Sequence, residues 1–211
     1  MQNNSRAFST LHRKGYNGIG SMKTKDEIKK IEAVVLYILK EFKDGVDYIK
    51  LFKIMYFAQR EYLATYGLTV MDDSFKARQR GPVPSLTYKV VKMAETGDFA
   101  QEVSDEVRTF ASAIRVDDSQ RVFALQDPDM DYISKMARAE LDQTIAKYRN
   151  MDSHELSELS HDAAYQTVVE RMQDDPQKDV LTLIDIARAG GATEPMVDHI
   201  REVQLIKAAL A

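Results

Sequence analysis

The stretch from Asp47 to Gly67 constrains the fold more than any other. Read as a helix, it is apolar almost all round, through Ile49, Leu51, Phe52, Ile54, Met55, Tyr56, Phe57, Ala58, Tyr62, Leu63 and Tyr66. Lys50, Lys53, Arg60 and Glu61 leave it only a narrow polar stripe. A helix with so little polar surface belongs at the centre of a core and needs partners on several sides. The stripe is expected to be a solvated edge rather than a track for phosphates. The rings are expected to be core rather than a stacking platform. At 211 residues the chain is long enough to supply the partners. A chain of this size buries roughly 70% of its unfolded surface.

The flanking sequence supplies helices. Thr24-x-x-Glu27 is a capping box, and Ile28, Ile31, Val34, Val35, Ile38, Leu39 and Phe42 follow at helical spacing. Gly45 is the expected stop. After Gly67 the period changes. Leu68–Val70 and Phe75–Arg78 suit short strands, and residues 78–86 suit a turn that runs into a helix as far as about Ala94, with Pro84 in its first turn. Ala111–Val116 and Arg121–Leu125 suit a hairpin around Asp117-Asp118-Ser119-Gln120. Further helices are expected after Asp127-Pro128-Asp129, after a Ser153 cap, over 162–172, after Asp175-Pro176 and after Thr193-Glu194-Pro195. The expected fold class is mainly α with a small antiparallel β-sheet of about three strands (α+β), in a single compact helical domain. Residues 1–22 are glycine-bearing and polar and are expected to be a disordered or extended tail. The main domain is expected over 23–174, with a helical extension over 175–211 packed on it.

Composition excludes several classes of function. The chain has no cysteine, which removes disulfide scaffolds, thiolate zinc sites, iron–sulfur clusters and a cysteine nucleophile and suits the cytoplasm. Its longest apolar run, Ala33–Leu39, is far short of the roughly 20 residues of a membrane span. Charge is unevenly spread. Residues 1–100 carry 17 Lys and Arg against 11 Asp and Glu, whereas residues 101–211 carry 12 against 22. Much of the basic excess lies in the first 25 residues, which contain no acid. This balance disfavours a general nucleic-acid binder, and the acidic half suits a basic partner.

Reactive groupings are sparse. His154 and His161 lie seven residues apart, about 10.5 Å along a helix, too far to share one zinc ion. Asp127-x-Asp129-x-Asp131 resembles the opening of a calcium loop. It has Tyr132 where that loop needs glycine and Arg138 where it needs glutamate. No nucleophile elbow and no dinucleotide or phosphate loop is present. Neither a cofactor nor a metal is expected. The segment Phe75-x-Ala77-Arg78-x-Arg80-Gly81-Pro82-Val83 reads as a corner with two arginines beside a helix start. It is either a structural turn or a docking point for an anion or a partner's acidic group.

Lys50-Leu51-Phe52-Lys53-Ile54-Met55-Tyr56-Phe57-Ala58, the corner Phe75, Ala77, Gly81, Pro82 and Val83, and then Leu156, Ser157 and His161 follow one another as in the Panacea, or SocA-like, domain family. The chain resembles that family over roughly residues 28–172. Members often carry a tryptophan shortly after the histidine; this chain has none, and Tyr165 stands near that place. The resemblance implies an antitoxin that binds and neutralises a cognate protein toxin, with no catalytic residues of its own. Delivery of the toxin to a protease and other phage-associated roles are further possibilities within the family. The partner-binding candidates are Arg78, Arg80 and Pro82 at the corner, with His161 beside it; for His161 a buried structural histidine is the alternative. An enzyme with an acid–base site around His161 and Asp162 is the competing class.

Overall fold

A computed structural model describes residues 23–98 and 103–210 of the chain. The expected tail over 1–22 lies outside them. Helix α1 (Lys25–Lys40) starts at Thr24, whose side chain and that of Glu27 complete the expected capping box. It ends before Glu41, earlier than Gly45, whose φ of +72° turns the chain into β1 (Val46–Asp47). Helix α2 (Tyr48–Tyr66) is capped by the Asp47 carboxylate and closed by Gly67 in the left-handed region, as its sequence requires. Leu51, Ile54, Met55, Tyr56, Phe57, Ala58 and Leu63 have no measurable exposure. This helix is the axis of the core.

Around α2 the chain places β2 (Phe75–Arg78), β3 (Gly81–Pro84), α3 (Ser85–Thr96), α4 (Asp105–Ser112), β4 (Ile114–Val116) and β5 (Arg121–Ala124). Next come α5 (Lys135–Tyr148), α6 (Ser153–Leu159), α7 (Ala163–Asp174), α8 (Leu183–Ala189) and α9 (Glu194–Leu210). Helices α1, α5, α6 and α8 and strand β3 all pack on α2. The fold is mainly helical with small antiparallel sheets, as expected.

The strands form two sheets rather than one. The first has the order β1-β5-β4 and contains the expected hairpin. The second is the β2–β3 hairpin, with Arg78 paired to Gly81 across the Gln79–Arg80 turn. Leu68–Val70 is not a strand; the Gln59 side chain, from inside α2, accepts the Val70 and Met71 N–H groups instead. Residues 81–84 are a strand rather than a turn entering a helix, and Pro84 is the residue before α3. Part of the segment read as strand, Ala111–Ser112, belongs to α4, which Ser104 caps. The caps after Asp127 and at Ser153 fall at Ser134 and Asp152 instead.

The helix expected directly after Asp175-Pro176 begins only at Leu183. Before it the backbone is extended and borders β2: Ala77 N–H donates to the Asp179 carbonyl at 2.7 Å, and Leu181 N–H to the Phe75 carbonyl at 2.9 Å. Residues after 175 thus complete the second sheet, while Ile186 and Ala187 of α8 and Val197 and Ile200 of α9 are buried.

Those two bonds explain the prolines of β3. In an antiparallel ladder the peptide groups of alternate residues face opposite sides. Phe75 and Ala77 point theirs at the 179–181 segment, so Lys76 and Arg78 bond to Val83 and Gly81. Pro82 and Pro84 therefore occupy the positions whose peptide groups face away from β2. That side packs on α2, where a free N–H would be buried without a partner. Proline has none to bury.

Candidate functional site

Lys50, Lys53, Tyr56 and Arg60 of α2 are anchors rather than a solvated stripe, reaching three other pieces of chain, while Glu61 pairs with Arg60. Lys50 Nζ donates to the Arg149 and Met151 carbonyls at 2.6 and 2.7 Å, just past the C-terminus of α5, where a cation offsets the free carbonyls. Lys53 is 1% exposed and donates to the Pro82 carbonyl at 2.8 Å. It supplies the one donor that the buried edge of β3 needs. Tyr56 Oη lies 2.9 Å from both carboxylate oxygens of Asp162, and Arg60 Nη1 lies 2.8 Å from Oδ2. Lys53 was expected at a solvated edge. Its burial follows from the β2–β3 hairpin, which lies over this part of α2.

The corner and the histidine segment meet. A Cβ built on Gly81, whose φ is +89°, would lie 2.2 Å from Ser160 Oγ, 2.9 Å from Lys53 Nζ and 3.4 Å from His161 Cδ2. The His161 ring stacks on Tyr165 at 4.4 Å, and Tyr165 Oη donates to the Arg78 carbonyl at 3.0 Å. Tyr165 thus ties α7 to the hairpin. Phe75 and Ala77 are buried core residues of β2, and Phe75 meets the Tyr56 ring edge-on at 5.5 Å. Gly81 and Pro82 are buried, Val83 is half-buried, and Arg78 and Arg80 are exposed. Arg78 bonds to Asp179 at 2.8 Å.

Gly81→Ala is expected to lower stability by about 2–4 kcal/mol. Backbone strain at a positive φ accounts for roughly 1–3 of this, and forced displacement of Ser160 for most of the rest. Urea unfolding measures it, and adding Ser160→Ala should restore the steric share only.

Electrostatics separates the buried groups. Burial alone lowers the Lys53 pKa to about 7. Burial first, and the Asp162 charge second, raise the Tyr56 pKa, so its hydroxyl stays protonated. Burial opposes the charge on Arg60, but hydrogen bonds and attraction from Glu61 and Asp162 outweigh it and raise its pKa. Asp162 also caps α7, accepting from Ala164 and Tyr165 N–H. Its oxygens are fully engaged, away from His161. The carboxylate beside His161 is Glu158, 4.0 Å from Nδ1 and beyond hydrogen-bond reach. His161 Nε2 is buried with no hydrogen-bond partner among the described residues.

Two depressions flank the hairpin tip. A small one of about 380 Å³ is lined by His161, His154, Ser157 and Glu158. A larger groove of about 1050 Å³ runs between α2, the hairpin and α3. Ile49, Gln79 and Arg80 border both. No group of three metal-ligating side chains occurs among the described residues, and no helix there is long and apolar enough to cross a membrane.

Compared with known families, residues 51–165 match the antitoxin SocA-like, Panacea domain. The chain belongs to this family. The match runs from the second turn of α2, through the hairpin, to Tyr165 on α7. It therefore spans the Lys53–Pro82 and Asp162 anchors and the junction of Gly81 with Ser160 and His161. No curated protein and no solved structure matches.

Sequence reasoning named the corner and His161, and the structure brings the two together. It missed Asp162 as the hub, Asp179 as the partner of Arg78, and Asp73. Asp73 is 4% exposed and caps α3 from a distance, accepting from Leu86 and Thr87 N–H at 3.0 and 2.9 Å. One signal was available. Lys53, Tyr56 and Arg60 stand at i, i+3 and i+7, which puts three polar groups on one side of a helix otherwise built for a core.

Proposed function

We propose that the protein is the antitoxin of a toxin–antitoxin pair and neutralises a cognate protein toxin in the cytoplasm by direct, stoichiometric contact. The family match over residues 51–165 carries the reading. The architecture is consistent with it. Polar side chains that an enzyme would aim at a substrate are here spent on joining the hairpin, α5 and α7 to α2. Asp162, the acid of the competing acid–base reading, is held by Arg60, Tyr56 and the α7 N-terminus. What the molecule offers outward is a rigid relief, a hairpin tip between two depressions.

Co-expression with the product of the adjacent gene tests the proposal. The neighbour alone should arrest growth, both together should grow, and the two should co-purify. A harmless neighbour, or one that stays lethal in the presence of this protein, refutes it.

A further inference from the structure

We propose that the groove between α2, the β2–β3 hairpin and α3 docks an acidic peptide segment of the partner, one that carries apolar side chains among its carboxylates. The identity of the partner rests on the antitoxin reading; the chemistry of the groove does not.

Charge is the first observation. Lys76, Arg78, Arg80, Lys89 and Lys92 line the groove, with Lys53 buried beneath them, against a single acid, Asp98. Lys76 and Arg78 share Asp179, and Lys92 pairs with Glu95. Arg80 and Lys89 are exposed and make no ion pair among the described residues. A protein of net charge −4 thus holds a local cluster of cations over an apolar floor. Ile49, Phe52, Val83, Tyr88 and Met93 form that floor. Cations around an apolar trough complement a segment that alternates acids with apolar anchors.

Two further observations narrow the occupant. Strand addition is not available, because β3 turns Pro82 and Pro84 away from β2 and neither offers an N–H. The segment must be held by its side chains. A single-stranded nucleic acid, the other polyanion, needs open ring faces on which successive bases stack. Here Lys92 lies over Tyr48 at 5.0 Å, and Phe52, only 2% exposed, is wedged between Tyr48 and Tyr88 at 5.7 and 6.2 Å. Of the three rings only Tyr88, 44% exposed, is open.

The test titrates isotope-labelled protein, followed by amide NMR shifts, with a capped peptide of repeated Glu-Glu-Leu about a dozen residues long. Its Lys-Lys-Leu counterpart and an oligouridine of similar length are the comparators. The acidic peptide should bind with shifts confined to the first half of α2, the hairpin and α3. Its affinity should fall several-fold between about 50 and about 200 mM salt. The double variant Arg80→Glu/Lys89→Glu should bind at least ten-fold more weakly and keep its melting temperature, since both side chains are exposed. No binding, equal binding of the lysine peptide, shifts centred elsewhere, or tighter binding of oligouridine overturns the proposal. Co-expression separates the two readings. Neutralisation that survives the double variant removes the groove and spares the antitoxin. Peptide binding in the groove without any neutralisation does the reverse.

Discussion

Asp162→Ala is expected to cost about 4–5 kcal/mol, a large part of the roughly 5–15 kcal/mol that holds a domain folded. Three losses combine. Arg60, whose side chain is 14% exposed, loses its cross-chain partner. That contributes roughly 2 kcal/mol, less than for a fully buried pair, because some solvent remains and Glu61 stays at 2.8 Å. The Tyr56 hydroxyl is left buried without an acceptor, at roughly 1–2 kcal/mol. Helix α7 loses its cap, at roughly 1 kcal/mol. Asp162→Asn keeps an acceptor for Tyr56 and for the helix and should recover about half of the loss. Urea unfolding of both variants, with Tyr56→Phe in each background, gives the coupling. Tyr56→Phe should be destabilising in the native sequence and nearly silent beside Asp162→Ala. A loss below about 1 kcal/mol for Asp162→Ala would mean that α7 is held by other contacts.

Lys53 gives the second large effect, and it is a dependence on pH. Its pKa is lowered to about 7 by burial, whereas an unfolded lysine titrates near about 10.4. Between those values the unfolded chain holds a proton that the folded chain has released. Stability therefore rises as pH increases from about 7 towards about 10, by at most roughly 1.4 kcal/mol per unit. Below about 7 both states are protonated and the slope vanishes. The surroundings of the ammonium are the Pro82 carbonyl, Ser160 and the His161 ring, with no carboxylate among the causes of its shift. Lys53→Met should flatten the profile across that window. The Lys50 pKa is also lowered, by burial, and is common to both chains, so the difference between their curves isolates Lys53. Denaturant midpoints at pH intervals measure it, and parallel curves would show that the folded chain keeps Lys53 charged.

What could be read in advance was what neighbouring residues decide. The capping box at Thr24, the span of α2 from Asp47 to Gly67, the β4–β5 hairpin and the last helix at Glu194 all follow from local pattern. The failures came where distant chain decides. Asp175-Pro176 has the form of a helix start, yet the residues after it are drawn out to complete the ladder of β2. Gly81-Pro82-Val83-Pro84 looks unlike a strand, because proline is tolerated in one only where its missing donor faces away from the ladder. At the candidate site the meeting of Gly81 with His161 is a contact between distant segments, which the order of motifs along the chain does not itself determine. The burial of Lys53 did not announce itself, since a lysine at a polar helical position is ordinarily wet. Only the hairpin lying on top of it removes the water.

The Gln79–Arg80 turn stands at the crest of the hairpin, bordering both depressions, while the bonds that secure the hairpin lie below it, at Pro82, Arg78 and Asp179. No hydrogen bond or ion pair of Gln79 or Arg80 takes part in that fastening. The crest can therefore vary in sequence while the footing of the hairpin stays as it is.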